Sequence, residues 1–312
     1  MAESQISTER QVRTIWHLGG LTPKGLAKRV WEEIDHDNVL THAAALAYNY
    51  LGAVFPLLLF VTAFLGFLAA HGAPQVNDLL FNALQRMLPA GTSQLLSNTL
   101  NEIIKASGGG KMTLGIILGL GSASGGMSTM MSSLNAAYDI RDNRKWWKQK
   151  LIALGLTVAL ILLMTTALFI VLFGGRLADH FMHTGGIGPV VHFTWKVLQW
   201  PVALFFVIFS FALIYYHGPD LHEQHWYWIT PGSIVGVALW IIASVGLRIY
   251  LHFYNTYSKS YGSLGAVILL MLWFYITGLA FLVGGELNSE IEHAAARRGH
   301  PEAKAEGEKQ AA

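Results

Sequence analysis

A few polar side chains stand inside otherwise apolar runs, and any chemistry this chain does must pass through them. Glu286 and Arg248 stand out among the ionisable residues within such runs. An ionisable group in a membrane is costly unless it is paired, hydrated or used. Glu286 has two candidate roles. One is a structural pair with a cation or hydrogen-bonding group at a neighbouring helix end, with His42, Asn135 and Arg141 as the expected contacts. The other is proton exchange. Arg248 falls near a helix end, where its long side chain can reach headgroups. Tyr48 and Asn49 offer hydrogen bonds to a polar headgroup. Pro56, a few residues on, deletes a helical hydrogen bond and clashes with the carbonyl of Gly52, so it kinks its helix. Asn135 and Asn288 are amides near helix exits. Tyr48, Asn49, Pro56, Asn135, Glu286 and Asn288 are the candidate pathway or gate residues.

Other chemistries lack their residues. There are no cysteines, which removes thiolate nucleophiles, zinc-finger sites and iron–sulfur ligation. His217, His222 and His225 cluster with Asp220 and Glu223. Their spacing is not the His-Glu-x-x-His of a zinc hydrolase, so a solvated loop with Trp226, Tyr227 and Trp228 at headgroup level is preferred. Gly110-Lys111 is followed by Met112, so the glycine-rich stretch there is no phosphate loop. Asp35, Asp37, Asp139 and Asp142 are dispersed along the chain. They do not form the carboxylate cluster that metal-assisted phosphate cleavage needs. No catalytic residue, cofactor or metal is expected.

The elements that position these residues are membrane spans. Of 312 residues, 53% are hydrophobic and 13% charged, with mean hydropathy +0.42. A soluble domain carries about a quarter charged residues. Six runs approach the roughly 20 apolar residues that a bilayer core demands: 43–70, 112–138, 151–173, 198–216, 232–254 and 264–287. The net charge of +2 gives no basic face for nucleic acid. The expected fold is all-α, a polytopic bundle of six transmembrane helices. Residues 1–20 read as a flexible N-terminal tail, 21–292 as the membrane domain and 293–312 as a flexible polar C-terminal tail.

Two further elements accompany the spans. Thr22 and Pro23 suit the cap and first position of a helix. Leu26, Val30 and Ile34 give it an apolar stripe, and it reads either as an interfacial helix on the leaflet or as an amphipathic helix packed on the bundle. Connection 71–111 carries two amphipathic stretches broken at Pro89–Gly91 and reads as an outer helical hairpin. The second span holds Gly115, Gly119, Gly121, Gly125 and Gly126. Small residues four apart let helix backbones approach closely, although the same composition permits a broken helix lining a cavity.

Three stretches carry a family resemblance. Residues 43–59 (AAALAYNYLGAVFPLLL), 132–150 (SSLNAAYDIRDNRKWWKQK) and 261–292 (YGSLGAVILLMLWFYITGLAFLVGGELNSEIE) resemble the YihY / virulence factor BrkB family, across roughly residues 20–292. The resemblance implies a six-span inner-membrane protein with both termini cytoplasmic. Family members were formerly labelled ribonuclease BN, and others are associated with serum resistance or proposed to transport envelope lipids. It supplies no agreed catalytic residues. The basic character usual in the fourth–fifth connection is missing here.

The leading expectation is a transporter or flippase-like permease, not an enzyme, for a lipid or other amphiphilic envelope molecule. A non-transporting envelope assembly scaffold is the alternative, and a membrane ribonuclease the least favoured reading. Expected partners are membrane lipids, with a homo-oligomer or an envelope protein as further candidates and no nucleic acid. Orientation follows from Lys and Arg. With the N-terminus inside, fourteen fall in inner segments and six in outer ones, so both termini should be cytoplasmic; the bacterial inner membrane as the location is what the resemblance implies. Reporter fusions at Asn101 and Lys304 check this. The Asn101 fusion should report the exterior and the Lys304 fusion the cytoplasm; cytoplasmic activity at Asn101 would invert the topology.

Overall fold

A computed structural model describes residues 13–53, 109–185, 189–222, 229–253, 257–301 and 303–309. The outer-hairpin expectation at 71–111 falls almost wholly outside the described residues, as do Pro56 and the run Trp226–Trp228. Among the described residues all regular structure is helical. A short 3₁₀ turn at Leu18–Gly20 precedes α1 (Pro23–His36), and a further helix, α2, occupies 39–53. Then come α3 (Gly109–Ala137), α4 (Trp146–Gly185), α5 (Pro189–His217), α6 (Pro231–Phe253) and α7 (Tyr257–Arg297).

Four segments are long and apolar enough to cross a membrane: Trp146–Ala167, Val197–His217, Pro231–Leu251 and Val267–Arg297. They coincide with the third to sixth expected spans. The second expected span is a continuous helix, α3, without the break its glycines permit. The first leaves the described residues at position 54. The chain divides into two compact units, Met1–Tyr48 with Met127–Ala312, and Asn49–Gly126.

In the larger unit α4 packs on α5, and α6 packs on both α5 and α7. The α6–α7 crossing is a backbone contact. A Cβ on Gly232 would overlap the carbonyl of Gly284, and one on Gly284 would overlap Tyr215 and the carbonyl of Gly232. A Cβ on Gly236 would stand 3.1 Å from the Ala280 carbonyl. Gly232 and Gly236 therefore face Ala280 and Gly284, two small pairs each four residues apart. Tyr215 donates its hydroxyl to the Phe281 carbonyl at 2.6 Å and closes the junction from α5.

The close approach expected in α3 is placed differently. A Cβ on Gly121 or Gly125 meets nothing within 4 Å, whereas one on Gly126 meets the Tyr50 ring at 3.2 Å. Spacing alone says that a backbone is bare, not that a neighbour comes to it. Gly115 and Gly119 lie in the same helix, with their surroundings outside the described residues.

Helix α1 is capped as its sequence suggests, with the Gly25 amide donating to the Thr22 hydroxyl at 3.2 Å. Its apolar stripe meets α7: Leu26 and Val30 are buried with Ile291, and Ile34 packs beside them. The stripe is thus buried against the bundle, and Trp31 is 75% exposed. The boundaries expected at 20 and 293 fall within packed structure. Gly19, at φ +57°, presses against the Ile291 carbonyl where a Cβ would overlap it. Helix α7 runs on to Arg297, and beyond it Lys304 is buried and pairs with Glu292 at 3.4 Å.

Gly284→Ala should therefore lower the melting temperature in detergent by an amount matching about 1–3 kcal/mol of overpacking. Gly125→Ala should leave it unchanged. Equal melting temperatures for both variants and the parent would remove the close crossing.

Candidate functional site

Two polar centres form where α1 and the ends of α3, α5 and α7 meet. The first is saturated. Asn135, near the end of α3, accepts the Asp220 amide on its Oδ1 at 2.7 Å and donates its Nδ2 to Asp142 at 3.1 Å. Arg144 grips Asp142 through Nε at 2.9 Å and Nη2 at 2.6 Å, and its Nη2 also donates to the Gly218 carbonyl at 2.9 Å. Lys309 pairs with Asp220 from the C-terminal segment, and its carbonyl accepts the His222 amide at 2.8 Å. Burial pushes the Asp142 carboxyl up, but the hydrogen bonds and charge of Arg144 outweigh it and hold it below the usual carboxylate range. Every member has a partner, so this centre is a clasp between chain segments.

The second centre is short of partners. Glu286, Glu290 and His293 follow at spacings of four and three on α7 and so share one face. Glu290 is gripped by Arg29 from α1 at 3.5 Å, Arg297 at 3.3 Å and His293 at 3.5 Å. Glu286 is only 2% exposed, and its Oε2 is buried without a hydrogen-bond partner among the described residues. The same holds for Nε2 of His293, whose ring meets Tyr138 edge-on with centroids 6.3 Å apart.

The charges that act most strongly on Glu286 are those of Asp37, Glu33, Asp139 and Glu290, all acidic. Burial raises the Glu33 carboxyl, aided by the charges of Glu290 and Asp37. Burial raises Asp37 as well, with Asp139 adding to it, and raises Asp139, with Glu306 adding. His36, hydrogen-bonded to Asp37 at 3.1 Å, is raised by that bond and by the charges of Asp37 and Glu33. Glu33, His36 and Asp37 hold their ligand atoms within 4.8 Å of one another, an arrangement able to take a cation.

Among the described sequence-predicted residues of the larger unit, Glu286, Asn135 and Asn288 have separate surroundings. Glu286 lies in the acidic centre, but the ionic or hydrogen-bonded contact expected from His42, Asn135 or Arg141 is not made. His42 faces the Ser133 hydroxyl at 3.2 Å, Asn135 serves the clasp, and Arg141 is exposed. Asn288 is a cap: its Oδ1 accepts the Gly232 amide at 2.9 Å and its Nδ2 donates to Thr230 at 3.1 Å. Tyr48 is 72% exposed and Asn49 half-buried. Pro56 is outside the described residues. Arg248 is exposed on α6, as a residue reaching for headgroups would be.

Of the four aspartates read as dispersed, Asp37 and Asp139 come within each other's field, while Asp35 is exposed and Asp142 belongs to the clasp. The signal that could have found the acidic centre is Glu33-x-x-His36-Asp37, which puts three titratable groups on one side of α1. His217 turns its ring to the Leu213 carbonyl at 3.3 Å, so the histidine loop shows no ligand set among its described residues.

The family described as virulence factor BrkB matches residues 30–308. The chain belongs to the BrkB family. Relatives within reach include YfkH of Bacillus subtilis, whose name calls it ribonuclease-like, 31% identical over 79% of this chain and 88% of its own length. The UPF0761 membrane protein of Xanthomonas oryzae pv. oryzae is 25% identical over 88% of this chain, and that of Xanthomonas axonopodis pv. citri 26% over 88%. The chain covers 61% and 62% of those two proteins. No solved structure matches. The BrkB match takes in the residues of both polar centres except Arg29 and Lys309, which lie just outside it.

Breaking the clasp should be destructive, because one side of a buried pair is left charged and alone. Arg144→Gln is expected to cost about 3–5 kcal/mol at neutral pH. Asp142 is held below its ordinary value, so its contribution is present above that value and lost as pH falls through the folded one. The gap in melting temperature between parent and variant should therefore narrow below about pH 4. A gap that widens there would contradict the role given to Arg144.

Proposed function

We propose that this BrkB-family membrane protein is a permease of transporter or flippase type for a lipid or other amphiphilic envelope molecule. We place it in the bacterial inner membrane with both termini cytoplasmic. The observation that carries the reading is Glu286: a carboxyl on an apolar helix, buried, with one oxygen unpartnered and acids as its strongest charged neighbours. A static fold gains nothing from such a group, since an apolar residue of similar size would pack there without the desolvation cost. Ionisable groups kept within membrane helices at this cost mark proton or substrate paths. In this reading Glu286 takes up and releases a proton as a substrate binds or α1 moves. Glu290 and His293, one and two turns along the same face, are the groups to pass the proton on.

Membrane lipids are the partners this reading requires. The scaffold reading draws on the Gly232–Gly284 crossing, since a protein built only to hold its partners needs packed helices and no titrating acid.

The test is movement of labelled phospholipid between leaflets in vesicles carrying the purified protein, across a range of pH. The parent should speed movement over empty vesicles in a pH-dependent way. Glu286→Gln should keep the parent melting temperature, because no cation is left unpaired, and should lose the pH dependence. A folded parent that moves no lipid across a broad headgroup panel favours the scaffold. A variant as pH-dependent as the parent removes Glu286 from the path.

A further inference from the structure

A cavity of about 440 Å³ opens where the turn before α1 meets the end of α7, with Arg13, His17, Gly19, Gly20 and His300 in its lining. Among the described residues no carboxylate lines it. Arg298 reaches it as well. Its guanidinium lies on the bare backbone of Gly20, in the space a side chain would take, and Gly20 is held at φ +77°. One guanidinium and two imidazoles line the concavity, and a second guanidinium lies against the Gly20 that helps to line it.

The charge balance here differs from that of the surrounding surface. Arg29 and Arg297 pair with Glu290, Lys28 with Glu32, and Lys304 with Glu292. Among the described residues neither Arg13 nor Arg298 forms an ion pair. Converging like charges repel, and a concave wall concentrates their field. An anion entering the cavity removes that repulsion and meets planar donor forks that suit paired oxygens. A phosphate group, with about −1.5 to −2 charge and three acceptor oxygens, meets this donor set better than a single carboxylate.

We propose that this cavity binds the phosphate group of an anionic ligand, gripped by Arg13 and Arg298 with His17 and His300 at its sides. The site stands apart from Glu286 and does not rest on the permease reading. A lipid headgroup and a soluble phosphorylated molecule share this chemistry. The length of α7 favours the soluble source. Ten residues separate Leu287, the end of the apolar run, from Arg297, which is about 15 Å of helix. The headgroup layer is only about 5–7 Å deep on each side.

The full-length protein in detergent is titrated with pyrophosphate, and separately with short-chain phosphatidylglycerol, against chloride at matched ionic strength. Affinity is followed by calorimetry and by the rise in melting temperature. Pyrophosphate should bind saturably. Arg13→Gln and Arg298→Gln should each weaken it at least tenfold, while Lys28→Gln, which removes a paired cation elsewhere, should not. If only phosphatidylglycerol gives the arginine-dependent response, the site stands with a lipid as its ligand. Responses no greater than with chloride, or arginine variants that bind like the parent, overturn it. Should an arginine variant fail to fold, His17→Asn carries the same expectation, and unchanged binding in it counts equally against the site.

Discussion

A buried carboxyl oxygen without a hydrogen-bond partner is a standing cost to the helix that bears it, and Glu286 imposes that cost on α7. The packing around it supplies the offset. Immediately before it, Gly284 admits the backbone of α6 and the hydroxyl of Tyr215, and a Cβ on Gly285 would strike the Leu134 side chain. Immediately after it, Asn288 caps α6 through the Gly232 amide. Three helices are thus drawn onto α7 within five residues of one acid, which excludes the water that would otherwise solvate it. On the same side stand Glu33, Asp37 and Asp139, whose own partial burial raises their carboxyls.

The two polar centres divide the labour at this end of the larger unit. The clasp of Asn135, Asp142, Arg144, Asp220 and Lys309 ties the exit of α3, the end of α5 and the C-terminal segment together, with its donors and acceptors matched. The acidic face beside it is left with more carboxyls than cations. A matched network resists change, while an unmatched one responds to a proton or a cation. Rigid support beside a titratable face is the arrangement a proton-coupled device needs.

Much of this was legible in the sequence where one segment carries its own signal. Long apolar runs give the helices of the third to sixth spans, Thr22-Pro23 marks the start of α1, and a lone Glu286 in an apolar context marks itself. Legibility ends where the partner is distant in the chain. Asn135 and Asp220 are 85 residues apart and Gly232 and Asn288 are 56, so neither amide announces that it is a clasp or a cap. The glycines make the same point. Four-residue spacing occurs in both α3 and α6; a second bare backbone meets Gly232 in α6, whereas Gly121 and Gly125 in α3 meet nothing within 4 Å. Within the His217–His225 segment, read as a solvated loop, Asp220 belongs to the clasp, and no signal in its own segment marks it.

The central proposal is that Glu286, buried in a membrane helix with one oxygen unpartnered among the described residues, exchanges a proton. Infrared difference spectroscopy of the reconstituted parent and Glu286→Gln tests it most directly. The account predicts that at neutral pH the parent shows the carbonyl stretch of a protonated carboxylic acid, slow to respond to heavy water, and that the variant lacks it. A parent in which Glu286 contributes only ionised carboxylate bands at neutral pH would contradict the account.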